Sequence, residues 1–198
     1  YLDELDTSKY TRRWIIEPKS QKTMTIQFSP ELIGLYKDTI MFQLVNGKSD
    51  PFKLNVSGEC SYPDIDRSLK TIFPKRVPKL DSKTEFAYAL DVNEFHFGSL
   101  LVIKEKGKTS HYRQYIVLQN VSKFPVEFSA LLTDKQPIWS LETTSGVINV
   151  DQTFQLYFGI SPIVPNLYKN QLYVFIKDHP DPLCFNLVAD ACQPIVDI

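Results

Sequence analysis

The sequence has no long run of apolar residues, because charged and polar residues interrupt every hydrophobic stretch well before the roughly 20 residues that a membrane-spanning helix needs. It is also nearly neutral, with 22 Lys and Arg against 23 Asp and Glu, a formal net charge of −1. Proteins that bind nucleic acid usually carry a clear basic excess. These absences predict that the partners of this chain include neither a membrane nor a nucleic acid.

Cysteine is scarce, and the three cysteines are poorly placed for disulfide bonds. Cys184 and Cys192 fall on one predicted strand, which separates their Cα atoms by more than about 20 Å, whereas a disulfide requires less than about 7 Å. Cys60 belongs to a different part of the chain. We therefore expect free thiols, as in a reducing cytosolic compartment, with a bridge between domains as the alternative.

Sequence motifs for catalysis are missing as well. The histidines, His96, His111 and His179, stand singly, and none has the spacing to a cysteine or carboxylate that is typical of a metal site. No glycine-rich phosphate loop and no Gly-x-Ser-x-Gly nucleophile motif occurs among the 7 glycines. The sequence predicts that the protein is not an enzyme and has no metal, cofactor or small-molecule substrate.

What the chain does contain is short segments of alternating polarity. Phe154, Leu156, Phe158 and Ile160 alternate with polar or smaller residues, the pattern of a strand with one buried face. No segment keeps the 3.6-residue period over the length of a helix, and 13 prolines punctuate the runs. The pattern predicts an all-β chain built of β-sandwiches. In the last part of the chain, strands are predicted near 95–97, 112–119, 125–131, 138–141, 147–150, 154–160, 170–176 and 184–189.

The last third of the chain repeats the first third. The segment 28–36 (FSPELIGLY) returns as 160–168 (ISPIVPNLY), and further on Cys60 aligns with Cys192. A spacing of roughly 130 residues is longer than the repeats of solenoid proteins and suits a whole domain plus a linker. The repeat therefore predicts separate domains in tandem.

The two copies differ in length, because the stretch 91–136 of the second has almost no counterpart before Trp14. We therefore expect the sequence to begin inside a domain. Residues 1–62 are predicted to be the C-terminal part of a first sandwich that is incomplete at its N-terminus, 63–86 a linker, and 87–198 a second sandwich. Because a sandwich without its first strands exposes sheet edges, residues 1–62 are predicted to be unstable alone.

The strand motifs resemble those of a known family. The segments 97–98 (FG), 118–122 (LQNVS) and 124–128 (FPVEF) are similar to the front half of ASH domains, the immunoglobulin-like relatives of major sperm protein and of bacterial pilus chaperones. The segments 28–36 and 56–60 (VSGEC) resemble the closing strands of such a domain, where Phe-Ser-Pro precedes a Gly-x-Tyr turn. The resemblance implies tandem immunoglobulin-like sandwiches.

The second copy departs from this motif at two places. It has Pro165 and Asn166 near the position of the turn glycine, and Ala189 where the first copy has Gly58. These departures weaken the motif without changing the strand pattern. Within the family, the connection between the copies is most similar to the interdomain connections of tandem ASH proteins of motile cilia.

The resemblance implies a structural role in the ciliary axoneme. The expected function is a scaffold of the central-pair apparatus, required for cilium movement and located in the cytoplasm and cytoskeleton, in the axoneme of a cilium or flagellum. The expected partners are other central-apparatus proteins and microtubules, reached by multivalent contacts. The alternative is a peptide-binding adaptor of the major-sperm-protein type, in trafficking or membrane contact.

The predicted linker supplies the candidate interaction residues. Prolines restrict its backbone and predict a stiff connector. Its basic residues are suited to an acidic surface such as that of tubulin, with salt-sensitive attraction, while the alternative is an ordinary solvated connector. The candidates in the linker are Lys70, Lys75, Arg76, Lys79 and Lys83. A second candidate loop, interrupted by an acidic residue, carries Lys104, Lys106 and Lys108.

Three local patterns are given structural interpretations. Trp14 and Trp139 precede their repeats at similar places and are expected to anchor a core or strand edge, with partner contact as the alternative. The segment 178–182 (DHPDP) predicts a hairpin turn and not an acidic site. The segments 55–57 (NVS) and 120–122 (NVS) match the glycosylation sequon by chance, since they fall on or at the end of predicted strands.

Overall fold

The computed structural model describes residues 13–102 and 110–193, and the chain divides into two compact units, Tyr1–Cys60 and Ser61–Ile198. Strands make up nearly all of the regular structure in the described residues, which confirms the all-β prediction. The elements in chain order are β1 (Gly34–Phe42), β2 (Phe52–Cys60), α1 (Leu69–Ile72), β3 (Arg76–Val77), β4 (Ala87–Ala89), β5 (Glu94–Leu101), β6 (Tyr112–Gln119), β7 (Val126–Leu132), β8 (Trp139–Leu141), β9 (Ser145–Ile148), β10 (Thr153–Ile160), β11 (Asn166–Ile176) and β12 (Leu183–Cys192).

The first unit contains an antiparallel hairpin of β1 and β2, in which Tyr36 faces Gly58. The phenol of Tyr36 donates a hydrogen bond to the carbonyl of Leu32, 2.6 Å away. Phe28 packs edge-on against the same ring, with 5.5 Å between the centroids. Large apolar side chains of the hairpin stay exposed, among them Leu35 at 65%.

The second unit consists of two sheets packed face to face. One has three strands in the order β6-β10-β8, and the other has seven in the order β3-β4-β5-β12-β11-β7-β9. Phe158 of the smaller sheet contacts Phe95 and Phe97 of the larger sheet, at centroid distances of 5.4 and 5.8 Å. Trp139 is 7% exposed and lies 6.0 Å from Phe97, so it is the predicted core anchor, whereas Trp14 is 41% exposed. The unit is an immunoglobulin-like β-sandwich.

Strand β12 lies in the middle of the larger sheet. It pairs antiparallel with β11 and parallel with β5, where Leu187 stands opposite Phe95. Each of the eight strands predicted for the second copy has its counterpart among β5 to β12. Cys184 and Cys192 lie near opposite ends of β12, and these two and Cys60 are free thiols. The prediction that Cys184 and Cys192 lie too far apart on one strand to pair with each other is therefore confirmed.

The repeat predicted from the sequence reappears as a shared hydrogen bond. Tyr168 donates to the carbonyl of Val164 at 2.8 Å, four residues upstream, as Tyr36 does to Leu32 in the first copy. A tyrosine that bonds back to the backbone at the start of a strand is typical of immunoglobulin-like sandwiches, where it is called a tyrosine corner. The turn before Tyr36 and the turn before Tyr168 are thus both corners of this kind.

One alignment within the repeat is wrong by one residue. Cys60 faces Gly34 in the first copy, but Ala191 and not Cys192 faces the equivalent Asn166 in the second. The physical reason is the connection between the two strands, which is one residue shorter in the second hairpin.

The first copy has Gly58 where the second has Ala189, and the size of a neighbouring side chain explains this difference. A Cβ atom added to Gly58 would lie 2.8 Å from the ring of Phe28, so the phenylalanine requires a glycine opposite it. The second copy has the smaller Ile160 at the position of Phe28, together with Ala189 at the position of Gly58. The two changes compensate each other in volume.

The segment 63–86, predicted to be a linker, packs into the second unit. Ile72 and Phe73 have no exposed surface, and Ile65 is 1% exposed. Phe73 stacks on Tyr88 with 4.2 Å between the ring centroids and meets Phe185 edge-on at 5.1 Å. Strand β3 lies in this segment and pairs with β4 at the edge of the larger sheet. The segment behaves as part of the sandwich because its apolar residues bury surface that a solvated connector would expose.

Candidate functional site

The basic residues of the segment 63–86 do not all point to solvent. Arg76 is half-buried, and its guanidinium donates to the backbone carbonyls of Lys70 and Phe73, at 2.7 and 2.5 Å. These carbonyls lie at the end of α1, where the helix leaves its last oxygens without partners. Arg76 therefore stabilises the backbone of the segment, and its guanidinium is already hydrogen-bonded within the protein.

The lysines of the same segment lie at the surface. Lys75 is exposed, but its ammonium donates to the carbonyl of Glu85 at 2.6 Å. Lys70, Lys79 and Lys83 are exposed as well. The structure thus leaves three lysines of the predicted set suited to an external partner. Lys104, Lys106 and Lys108 lie outside the described residues.

The first part of the segment is fastened along the end of β6. Ile65 forms a β-bridge with Asn120, the amide of Asp66 donates to the carbonyl of Gln119 at 2.8 Å, and the amide of Val121 donates to Asp64 at 3.3 Å. These bonds make residues 64–66 a short extra strand of the smaller sheet. The chain enters the second unit through this pairing.

The buried side chain of Asn120 stabilises this junction through hydrogen bonds. It is 1% exposed, and its side-chain amide donates to the carbonyls of Phe124 and Ile148, both at 2.9 Å. Its side-chain oxygen accepts hydrogen bonds from the amide and the hydroxyl of Ser122. A buried amide with both ends bonded is unavailable for glycosylation, in agreement with a chance sequon match. Sequence reasoning missed this role because a sequon and a buried asparagine look alike in one sequence.

A second fastening joins the segment to the turn between β11 and β12. Arg67 forms an ion pair with Asp64 at 3.0 Å and donates to the carbonyl of Asp181 at 2.9 Å. A ring nitrogen of His179 accepts from the amide of Asp181 at 3.0 Å, and Tyr62 packs on the histidine ring at 5.4 Å. The residues predicted as a hairpin turn do form that turn. Two of them, His179 and Asp181, also contact Tyr62 and Arg67.

The carboxylate of Asp66 supports α1. It accepts hydrogen bonds from the hydroxyl of Thr71 and the amide of Ser68. These bonds favour the charged form and lower the pKa of Asp66 below its usual value, with the Thr71 bond as the larger cause.

The histidines have separate surroundings. His96 lies 3.1 Å from Glu94, His111 bonds to the hydroxyl of Ser161 at 3.0 Å, and His179 sits at the turn described above. Over residues 13–102 and 110–193, no three His, Cys, Asp or Glu side chains are grouped so that they could hold a metal ion. Within the same ranges, no helix has the length and apolar character needed to cross a bilayer.

Comparison with known proteins gives two related matches. Mouse hydrocephalus-inducing protein is 27% identical over 195 residues, covering 94% of this chain. The similarity to hydrocephalus-inducing protein extends over almost the whole length of this chain. The human homologue of hydrocephalus-inducing protein is 26% identical over 205 residues, covering 96% of the chain. The chain spans about 4% of the length of each of these relatives. No protein-family model matches.

The similarity to hydrocephalus-inducing protein (Hydin) was also predicted from the connection between the copies. That prediction was based on the segments 60–65 (CSYPDI) and 72–77 (IFPKRV). The comparisons confirm this prediction. In the structure, these same segments supply the bridge at Ile65, the buried Phe73 and the bound Arg76.

Solved structures with related folds align to about half of the chain. PapD-like ASH domain 7 of human CEP192 covers 49% of this chain and 82% of its own, at 13% identity and a TM-score of 0.38. SSP-19, an MSP-domain protein like family member of Caenorhabditis elegans, covers 47% of this chain and 94% of its own, at 10% identity and a TM-score of 0.35.

Proposed function

We propose that this chain is a structural scaffold segment of the ciliary central apparatus, where it contributes to cilium movement through contacts with other central-apparatus proteins and with microtubules. The observation that carries the proposal is the similarity to hydrocephalus-inducing protein over 94% of the chain. The location that follows is the axoneme of a cilium or flagellum, within the cytoskeleton.

The lysines on the second unit support the microtubule contact. Lys70, Lys79 and Lys83 are exposed and come from a segment that is fixed to the sandwich at Ile65 and Phe73. Because the segment is held, its lysines lose little backbone freedom when they meet a partner. The surface of a microtubule is acidic, so the attraction is electrostatic and weakens as salt is raised.

Co-sedimentation with microtubules tests the contact. We expect the chain to pellet with microtubules at low salt and to be released as the salt is raised. The triple variant Lys70→Glu, Lys79→Glu and Lys83→Glu should remain in the supernatant. Arg76 is left unchanged, because its removal would leave backbone carbonyls without their donor.

A variant of the first unit supplies the matched control. Lys37, Lys48 and Lys53 are exposed, and their replacement by glutamate changes the net charge by the same amount. We expect this control to pellet like the wild type. Equal loss of binding in both variants would mean that only overall charge matters, and an unaffected second-unit variant would refute the proposed contact.

A further inference from the structure

We propose that Ser82 is a phosphorylation site, and that a phosphate on it releases the exposed lysines Lys70, Lys79 and Lys83 from a microtubule. The release rests on the proposed microtubule contact, whereas the modification itself does not. Three observations carry the proposal: Ser82 is exposed, its hydroxyl makes no hydrogen bond with a described residue, and it lies between two exposed lysines.

Ser82 lies at the tip of a turn between β3 and β4. The amide of Thr84 donates to the carbonyl of Asp81 at 3.1 Å, which makes Ser82 and Lys83 the two central residues of a β-turn. The carboxylate of Asp81 accepts from the amide of Lys83 and from the hydroxyl of Thr84, both at 2.9 Å. None of these bonds uses the side chain of Ser82, so a phosphate on its hydroxyl replaces no bond of the turn.

Ser82 differs from the other hydroxyl residues of the segment 63–86. Ser68 accepts a backbone amide at the start of α1, and the hydroxyl of Thr71 donates to Asp66. Thr84 is only 7% exposed and bonds within the turn. The hydroxyl of Ser82 is therefore the one in this segment that an enzyme reaches at the surface without breaking a hydrogen bond between described residues.

The lysines beside Ser82 suit it to a basophilic protein kinase. Lys79 precedes the serine by three positions and Lys83 follows it directly; both are exposed, and no described side chain forms an ion pair with either. Kinases of this class have an acidic substrate cleft and select a basic residue three positions before the serine, a case of charge complementarity. The nearest carboxylate, that of Asp81, is already bonded within the turn.

The modification is a phosphoryl transfer from ATP. The hydroxyl oxygen of Ser82 attacks the γ-phosphorus, so a bond from this oxygen to phosphorus forms while the bond from phosphorus to the bridging oxygen of ADP breaks. ADP leaves, and the hydroxyl proton passes to the catalytic carboxylate of the kinase. The product carries a charge of about −2 at neutral pH.

The phosphate makes the region of the turn negative. Residues 79–85 contain Lys79 and Lys83 together with Asp81 and Glu85, so their formal charges cancel. Phosphorylation changes this sum to about −2. The Cα atoms of Ser82 and Lys79 are at most about 11 Å apart, which is close to the Debye length at 0.1 M salt. The phosphate therefore offsets both lysines and repels an acidic surface.

Incubation of the whole chain with ATP and the catalytic subunit of protein kinase A tests the site. We expect phosphate on Ser82, located by mass spectrometry of the digested protein. Ser82→Ala should lose this phosphate, and Lys79→Gln should slow its incorporation severalfold, because the basic residue before the serine is removed. An unmodified Ser82, or incorporation that is unchanged in Ser82→Ala, would overturn the assignment of the site.

Ser82→phosphoserine, introduced during synthesis of the chain, tests the release from microtubules. The matched control is Ser145→phosphoserine, because Ser145 is exposed and lies on β9, at the edge of the seven-stranded sheet opposite to β3. We expect the modification at Ser82 to weaken co-sedimentation about tenfold at low salt and less at high salt, and the control to change it little. Equal weakening by both, or no effect at Ser82, would overturn the release.

Binding of soluble poly-L-glutamate separates a failure of the release from a failure of the microtubule contact. An unmodified chain that does not pellet with microtubules refutes the proposed function, and the release is then measured with poly-L-glutamate. We expect phosphate on Ser82 to weaken this binding about tenfold as well. Unchanged affinity, or no affinity of the unmodified chain for either probe, would overturn the release, while mass spectrometry still decides the site.

Discussion

Replacement of Phe73 by alanine gives the sharpest test of the architecture described above. Phe73 has no exposed surface, and its ring contacts Tyr88, Phe95 and Phe185 at centroid distances of 4.2, 5.8 and 5.1 Å. Substitution of a buried phenylalanine by alanine costs about 3–5 kcal/mol, because apolar burial is lost and a cavity remains. Three aromatic neighbours place Phe73→Ala in the upper part of that range. A solvated connector would lose less than about 1 kcal/mol from the same change.

Urea unfolding followed by tryptophan fluorescence measures this cost. Trp139 is buried in the second unit and Trp14 lies in the first, so a Trp14→Phe background makes the emission specific for the second unit. Phe124→Ala is the matched control, because Phe124 belongs to the same unit and is 39% exposed. We expect a large decrease in the free energy of unfolding for Phe73→Ala and a small one for the control. Equal decreases would refute the assignment of residues 63–86 to the sandwich.

Three further changes have expected outcomes. Asn120→Ala should cost about 1–3 kcal/mol for each buried group left unpaired, measured by the same urea unfolding, and a neutral result would contradict its role in the junction. Thr71→Val should raise the pKa of Asp66 toward its usual value in an NMR titration. Since the folded pKa is lowered, the stabilisation by Asp66 is present above about pH 4 and is lost as the pH falls through the folded pKa, and Thr71→Val should flatten that loss. Gly98→Ala should destabilise the unit by about 1–3 kcal/mol in thermal unfolding, because Gly98 has a φ of +79° and an added Cβ atom would lie 3.0 Å from the carbonyl of Thr84. An unchanged melting temperature would contradict this last expectation.

The strands of the second unit were predictable because their signal is local. Alternation of apolar and polar residues in 154–160 reflects one buried face, and the same rule locates the strands around it. The two tyrosine corners were predictable for a similar reason, since Tyr36 and Tyr168 each bond within four residues of their own position. Patterns that depend only on residues close together in the chain can be recognised from a single sequence.

The packing of residues 63–86 was not predictable from the sequence in the same way. Ile65, Ile72 and Phe73 lie in a short segment that is bounded by Pro63 and Pro74 and carries several charged residues, so their apolar pattern is too short to distinguish a packed segment from a linker. Their burial depends on partners far along the chain, such as Phe185. The role of Arg76 was hidden for the same reason, because a basic residue that caps a helix looks like one that binds an acidic partner.

The position of β12 has a consequence for synthesis of the protein. Among the described strands of its unit this one is the last to leave the ribosome, yet it occupies the centre of the seven-stranded sheet, between β5 and β11. The pairing of β5 with β12 joins residues that are about 90 positions apart, for example Phe95 with Leu187, and contacts of such separation form slowly. Until β12 is made, the nascent chain holds two half-sheets with open inner edges. The inner edges of both half-sheets therefore stay exposed to aggregation until β12 pairs with them, and chaperones have their largest effect on this unit during that interval.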